Sequence, residues 1–576
     1  MPPGMQIQWQ PPAPDPRIVQ TLSQQLGVIP LIARLLAVRG IQSANQASRF
    51  MNPTLSSLTA PSQMAGMAAA VDRIRQALTG GEKILVFGDY DADGITATAA
   101  LVTFLRRCGA TVVYHIPHRI VDGYGLNTDF IAQRAQPAGI DLIVTVDCGS
   151  ASGEAVALGR RLGIDTIVTD HHPIHRLPDA AVAVVNPTRS DCPAGLGHLA
   201  GVGVAFYLII ALRSHLRESG YWQGRREPNL KKFCDLVALG TVADVAPLIG
   251  ENRALTAAGL DQINRRHRPG IAALTTLIAA PDEPVDAETI AYRLAPRLNA
   301  AGRLAHARMA CELLLTENRR KAEHLARTLC RLNSRRQAME NELMATIGEG
   351  LRQRPDHLDR PVLVVDGSGW HEGILGIVAA RLMRQYQRPA VVLSVRNGLA
   401  KGSARSLDGI DVAAALTQCT DLLDRFGGHP LAAGLALPSA RIEAFRTRLE
   451  TIITRLAEGR EPSPALAVDA RVPLAEINPD LMAQLQRLAP FGPANPSPLF
   501  LATGIRVRQS RTVGDRHRQM VLTDDSARGG IPAIQFNVEG PLENDCIGRI
   551  AYRPQWNYWN GRKRLQLIVE ATDAEA

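Results

Sequence analysis

Between residues 83 and 186 short β-branched runs alternate with helix-like segments. The runs are Ile84–Asp89, Thr111–Pro117, Asp141–Asp147, Asp165–Asp170 and Ala181–Asn186. Helices between consecutive short apolar strands require a mostly parallel sheet covered on both faces, which is an α/β fold. Four runs finish in Asp89, Asp147, Asp170 and Asn186, so polar groups gather at one end of the sheet, where open α/β folds bind ligands. The first run is the most demanding. Ile84-Leu85-Val86-Phe87 leads into Asp89-Tyr90-Asp91-Ala92-Asp93-Gly94, and a helix-like stretch, Ile95–Arg107, follows. Burying such charge uncompensated costs on the order of several kcal/mol per carboxylate, so a metal cation is its natural partner.

At 576 residues the chain is too long for one core, and about 150 residues per domain gives three or four units. A hydrophobic content of 46% and a charged content of 21% are those of a soluble globular protein. The net charge of +9 favours a polyanionic partner without identifying one. Eight scattered cysteines, none in a Cys-x-x-Cys pair, argue against a zinc ribbon or a disulfide framework and suit a reducing compartment. Met1–Asp15 is proline-rich and lacks a leader pattern. The longest apolar run, Leu199–Leu212, falls short of the roughly 20 residues of a membrane span and reads as a core helix. A cytoplasmic protein with no membrane contact is the expectation.

The organisation expected is a 1–60 N-terminal extension serving as packing or docking material, a 61–315 parallel-sheet domain, a 316–355 connecting helix, a 356–458 second α/β domain and a 465–576 β-rich domain. Thr316–Gln353 reads as one long charged helix with apolar positions at Ala322, Leu325, Leu329, Leu332, Met339, Leu343 and Ile347, its arginines forming a solvated face. The second α/β unit starts at Pro361–Asp366 and includes a glycine-rich turn, Phe426-Gly427-Gly428-His429; Trp370-His371 opens a helix. Residues 459–464 read as a linker. Beyond it five strand-like stretches at short intervals, from Leu499–Arg508 to Leu565–Ala571, fit a small OB-type β-barrel.

Asp170-His171-His172 closes another strand, and Asp244 stands in the apolar stretch Leu239–Ala246, where an unpaired carboxylate is costly. With Asp91, Asp93 and Asp147 they make a mixed carboxylate and imidazole set with no thiolate, which suits Mn²⁺ or Mg²⁺ better than structural zinc. Four carboxylates and two imidazoles suffice for two cations sharing a bridging carboxylate. Such pairs serve in-line displacement at phosphorus, so the residues point to metal-assisted hydrolysis of a phosphate ester or anhydride.

Asp89–Gly94, Asp147-Cys148-Gly149, Asp170-His171-His172 and Gly240-Thr-Val-Ala-Asp244 resemble the four ordered motifs of the DHH phosphoesterase family, and Phe426–His429 with Ala432-Ala-Gly434 resembles the signature of its associated domain. The resemblance spans nearly the whole chain. It makes Asp91, Asp93, Asp147, His171, His172 and Asp244 the dimetal ligands, with Asp147 as the bridge and Asp89 and Asp170 orienting ligands from behind. Arg303 and His429 would hold the scissile phosphate, supported by Arg297 and Asn299 from a small-residue loop. Ser403, Arg405 and the Gly427-Gly428 backbone would take the strand's 5′ end, and Arg119 would be a further DNA contact. For Tyr124 packing is favoured over base stacking. Many family members carry a histidine where this chain has Phe87.

The layout is similar to family members that degrade single-stranded DNA from its 5′ end to mononucleotides in DNA repair and recombination. Stacking platforms beside cations fit that substrate, and the terminal barrel is dense in Arg506, Arg508, Arg511, Arg516, Arg518, Tyr552, Arg553, Trp556, Tyr558, Trp559, Arg562 and Lys563. A competing reading is a phosphodiesterase of the same family acting on short RNA or cyclic dinucleotides, whose members usually lack a barrel. Another is a non-catalytic nucleic-acid-binding relative, which should have lost metal ligands; a manganese-dependent pyrophosphatase leaves the extra domains unexplained. Single-strand-binding protein and a RecQ-type helicase are partners implied by the resemblance, and the expected state is a monomer.

Overall fold

The computed structural model describes residues 7–573 apart from 175, 281, 459–465, 515, 527, 528, 539–544 and 560, so the linker expected at 459–464 lies outside the described residues. The five strands read from the alternation are all present: β1 (Lys83–Gly88), β2 (Thr111–His115), β3 (Leu142–Val146), β4 (Asp165–Thr169) and β5 (Ala183–Val185). They form one parallel sheet in the order β2-β1-β3-β4-β5. From β1 the chain steps outward to β2, then returns to the other side of β1 as β3. The strand order therefore reverses between β1 and β3, the place at which open α/β sheets bind ligands beyond the carboxyl ends of their strands.

Alternation along the strands sends Ile84, Val86, Val144, Val146 and Ile167 to one face. There they pack with α1 (Ala92–Arg107), α2 (Gly201–Glu218) and α3 (Cys234–Ala243). Leu85, Phe87, Ile143 and Val168 go to the other face, against Ile131 and Val156. Each fully buried aliphatic side chain contributes about 1.5–3 kcal/mol, and two covered faces explain why these strands read as unbroken apolar runs. The Leu199–Leu212 run lies at and within α2, a core helix. Among the described residues no helix is long and apolar enough to cross a membrane.

Contacts divide the chain into two compact units. One comprises Pro12–Leu332, Asp469–Phe536 and Gly540–Ala576; the other comprises Asn333–Val468 with the short pieces Met1–Pro11 and Asn537–Glu539. The helix Arg319–Gln353 is unbroken over 35 residues and runs through the boundary. Of its expected apolar positions, Leu332 and Met339 are only half-buried, and Asn333 and Glu340 are buried instead. Arg336 satisfies both, donating to Glu340 at 2.8 Å and to Asn333 at 3.0 Å.

In the first unit, Phe500–Val513, His517–Thr523, Ile531–Phe536, Arg562–Asp573 and Cys546–Trp559 pair in that order. The last pairs back with the first, so five strands close a barrel in which only Ile531–Phe536 and Arg562–Asp573 run parallel. The N-terminal helices Pro16–Leu26, Pro30–Val38 and Ala44–Met51 are not separate from it. Their apolar faces (Leu22, Ile32, Leu35, Leu36) share one core with Phe500, Ile550 and Tyr552, because a short amphipathic helix is stable only against another apolar surface.

In the second unit, Leu363–Ser368, Ala390–Arg396, Leu399–Arg405, Ala432–Pro438 and Arg425–His429 form a mixed sheet, parallel only between the first two. The expected turn Phe426–His429 is an edge strand, not a turn. Its Gly428, at φ 151°, backs onto Ala432 and Ala433 so closely that a Cβ would meet the Ala432 carbonyl at 2.3 Å. The Pro296–Arg303 stretch, expected as a loop, is a helix spanning Ala295–Leu304. Proline is tolerated in its first turn, and the small residues let it pack closely.

Candidate metal centre

Three strand ends and one helix end build the site. Past β1, Asp91 caps α1, its Oδ1 accepting from the Asp93 and Gly94 amides at 3.0 Å each. Asp93, buried in the first turn of α1, accepts from the Gly201 and Val202 amides at 2.7 and 2.9 Å, the amino end of α2. Past β3, Asp147 sits at φ 61°; past α3, Asp244 is followed by Val245, also at φ 61°. A left-handed non-glycine residue costs about 1–2 kcal/mol, so both acidic turns carry backbone strain. Past β4, Asp170 Oδ1 accepts from the His171 amide at 2.8 Å and lies 2.7 Å from His172 Nδ1, while Oδ2 accepts from the Ser150 amide at 2.9 Å.

These ends converge. Asp147, His171 and His172 form one donor set, Asp93, His171 and Asp244 a second, and Asp89, Asp91 and Asp147 a third; in each, one atom per residue lies within 4.8 Å of the others. Asp147 and His171 each belong to two sets, so the sets are adjacent and overlapping, as two neighbouring cation positions with a shared carboxylate require. All six expected ligands are brought together. Asp89, expected to orient ligands from behind, instead offers an oxygen to the third set, because it is still at the strand end and faces Asp91 and Asp147. Asp170 does lie behind, hydrogen-bonded to His172.

Buried Asp89 Oδ1 has no hydrogen-bond partner, and buried Asp147 Oδ1 and His171 Nε2 face each other at 3.1 Å without the geometry of a hydrogen bond, a costly arrangement that a cation would satisfy. The electrostatics agree. Burial, then the Asp91 charge, raises Asp93 to about 7; burial, then Asp93 and Asp91, raises Asp244 to about 8. Asp89 and Asp147 are pushed well above the carboxylate range for the same reasons. Burial and the neighbouring His172 lower His171 to about 4, leaving a neutral imidazole suited to ligation. His172 is raised to about 9: burial works against its charge, and the bond to Asp170 overrides it. Carboxylates that repel one another become stable anions when a divalent cation lies among them.

Glycines form the walls. A Cβ on Gly201 would lie 2.4 Å from Asp147 Oδ1, one on Gly240 2.8 Å from Asp93 Oδ1, one on Gly94 2.6 Å from the Asp89 amide and one on Gly302 2.6 Å from the Tyr90 carbonyl. Gly94 and Gly240 stand inside the quoted motifs, yet their role needs the three-dimensional contact. Phe87 packs edge-on to Phe130 at 5.0 Å and against His115 at 5.4 Å, in the core layer of β1's other face. The position therefore supplies packing rather than a donor.

The flanking cations differ in placement. The helix Ala295–Leu304 lies on the Asp89–Ala92 turn: Asn299 accepts from the Ala92 amide at 2.8 Å, so it holds that turn, and Arg303 lies near Tyr90, whose phenol burial and then Asp89 raise to about 12 against the opposing charges of Arg119 and Arg303. Arg119 stacks over the Tyr90 ring at 4.1 Å and faces Asp89. Arg297 turns away, donating to the Arg293 carbonyl and lying 3.3 Å from Cys330 Sγ. Tyr124 packs edge-on to Tyr90 and His172, its hydroxyl 3.3 Å from His172 Nδ1.

In the second unit, Ser403 pairs across Gly434 with Gly427, and Arg405 across Ala432 with His429, so these residues share one face of the sheet. Arg405 Nη1 donates to Ser403 Oγ at 2.8 Å, and Gly376 leaves them room. His371 caps the helix Glu372–Tyr386, as expected of Trp370-His371. In the barrel, Tyr552 is core, its hydroxyl donating to the Val472 carbonyl at 2.8 Å, and Arg518 is buried. Arg506 is ion-paired with Asp525, and Arg553 with Glu570 at 3.1 Å. Trp556 is half-buried under Lys563 Nζ at 4.2 Å, and Lys563 pairs with Tyr558 on the same face, while exposed Arg562 and Arg564 alternate to the other; the Trp559 side chain lies outside the described residues.

Comparison with known proteins agrees with this geometry. Residues 83–241 match the DHH family N-terminal domain, 359–455 the DHHA1 domain and 468–571 the RecJ OB domain. The single-stranded-DNA-specific exonuclease RecJ of Bacillus subtilis is 36% identical over 98% of this chain and 70% of its own length. The chain is a member of the RecJ family. Escherichia coli RecJ is 37% identical over 94% of this chain and 95% of its own. Thermus thermophilus RecJ, solved in complex with Mn²⁺, superposes with a TM-score of 0.83 at 31% identity, covering 99% of this chain and 80% of that one. A second structure of that RecJ holds Mg²⁺.

Proposed function

We propose that the chain removes mononucleotides from the 5′ end of single-stranded DNA, using two divalent cations, Mn²⁺ or Mg²⁺, held by Asp91, Asp93, Asp147, His171, His172 and Asp244, with Asp89 as a further donor. As a member of the RecJ family it is a single-stranded-DNA-specific exonuclease and a metal-dependent phosphodiesterase. The observation that carries the two-cation reading is the overlap of the donor sets at Asp147 and His171, whose buried Oδ1 and Nε2 face each other at 3.1 Å without a hydrogen bond.

Bound cations would supply a hydroxide at neutral pH and neutralise phosphate oxygens. The chain's own residues do the rest. Helix α2's amino end fixes Asp93, and Asp170 fixes the His172 ring. Arg119 and Arg303 place positive charge beside the carboxylates, where a phosphodiester would be drawn in. Ser403, Arg405, Gly427, Gly428 and His429 form a polar row for the terminal phosphate, with Asn299 supporting and Arg297 a helix-bracing cation. Trp556 and Tyr558 with Lys563 give the barrel a stacking and charge surface that reads no sequence. Single-strand-binding protein and a RecQ-type helicase are proposed partners, a monomer in the cytoplasm the proposed setting, and repair and recombination the proposed role.

The test is degradation of 5′- and 3′-labelled single strands with Mn²⁺ or Mg²⁺. Mononucleotides should leave from the 5′ end, and Asp147→Ala should abolish their release. Attack from the 3′ end would overturn the polarity, and undiminished activity in Asp147→Ala the assignment of the centre.

A further inference from the structure

Asn252 is fully buried and belongs to the helix Gly250–Asn264. Its Nδ2 donates to the His198 carbonyl at 2.6 Å and to the Pro247 carbonyl at 3.0 Å. Those two carbonyls belong to the two loop segments that converge on the centre. Directly after His198, Leu199 lies beside the His171 ring, the Gly201 and Val202 amides hold Asp93, and Gly201 abuts Asp147. Directly before Pro247 stands the strained turn Asp244-Val245.

The rest of the helix start is anchored. Glu251 lies 3.1 Å from His198 Nε2 and accepts from Thr59 Oγ1 at 2.8 Å. Arg253, also buried, donates to the Phe50, Ala489 and Pro490 carbonyls. One amide group on a braced helix thus sets the separation between the segment orienting Asp93 and His171 and the segment carrying Asp244.

We propose that Asn252 is a positioning residue for the metal centre, clamping the His198 and Pro247 carbonyls so that Asp93, His171 and Asp244 keep the spacing that cations need. This rests on the reading of those residues as ligands. Groups that orient ligands from outside typically change metal affinity about 10–100-fold when lost.

The experiment uses the full chain freed of metal, with Mn²⁺ as the probe. Asn252→Asp keeps the side chain's shape and removes both donors. Calorimetric titration should give an Mn²⁺ Kd weaker by about 10–100-fold. At limiting Mn²⁺ kcat should fall while KM for a single-stranded oligonucleotide holds, and saturating Mn²⁺ should recover most of kcat. Asn264→Asp is the control: at the other end of the same helix it breaks bonds to Leu260 and Val285, and should lower Tm without moving the Mn²⁺ Kd. A lower Tm with unchanged Mn²⁺ Kd and kcat in Asn252→Asp would make Asn252 merely structural and overturn the proposal. If that variant does not fold, Asn252→Ser, with one donor on a shorter arm, is read by the same criteria. Asp147→Ala separates the two claims: Mn²⁺ binding unchanged there removes the ligand assignment itself, whereas binding lost there but intact in Asn252→Asp removes only the clamp.

Discussion

Gly201→Ala adds one methyl group and tests the glycine wall. Gly201 opens α2 at ordinary backbone angles, so alanine is conformationally acceptable and by helix propensity gains about 1 kcal/mol. The added Cβ would lie 2.4, 2.6 and 2.7 Å from Asp147 Oδ1, Cβ and Cγ, against ordinary contact from 3.4 Å. Relief requires a shift of about 1 Å, by Asp147, whose backbone is already left-handed, or by the amino end of α2, which holds Asp93. Overpacking of this kind costs about 1–3 kcal/mol, so net stability should change by no more than about 2 kcal/mol. A 1 Å misplacement of catalytic groups is worth about 100-fold in rate. The variant should fold, melt within several degrees of the parent, and release mononucleotides about 100-fold more slowly at saturating Mn²⁺. A kcat within threefold of the parent, with an unchanged Mn²⁺ Kd, would refute the claim that Gly201 sets the position of Asp147.

The metal-free protein should lose stability between pH 6.5 and 8. Asp93, Asp244 and His172 all have folded-state pKa values raised to about 7, 8 and 9, so their stabilising protons are lost as pH rises through those values; calorimetry in chelator should give a falling Tm, and excess Mn²⁺ should remove the slope. A Tm that climbs over this window in chelator would contradict the raised values. Phe87→His should leave the Mn²⁺ Kd unchanged and lower stability by about 1–3 kcal/mol, since the ring would enter an apolar layer; a tighter Kd counts against that placement. Trp556→Ala should weaken single-strand binding by about 1–3 kcal/mol, read as a higher KM. Tyr552→Phe should cost about 1 kcal/mol of stability through its bond to Val472 and leave KM alone; the reverse pattern would exchange their roles.

The sheet was legible because each strand is a short β-branched run and four of the five runs close on a polar residue, and β1, β3 and β4 place Asp89, Asp147 and Asp170 at one end of the sheet. The carboxylates and imidazoles that converge were legible because they stand in short motifs. What escaped depends on contacts between distant residues. Ala300, Ala301 and Gly302 suggest a loop until the close approach to Tyr90 makes small residues a packing requirement of a helix. Gly427 and Gly428 read as a turn, though edge-strand pairing with Ala433 and Gly434 accommodates them. Asn252 carries no signal at all, because its partners lie at His198 and Pro247 and only the fold brings those carbonyls to one amide.

The central claim is a pair of cations bridged by Asp147, and the stoichiometry of Mn²⁺ binding to the metal-free full chain tests it most directly. The account predicts two bound ions per chain, with Asp147→Ala weakening both. A single site, or two sites indifferent to Asp147, would contradict it.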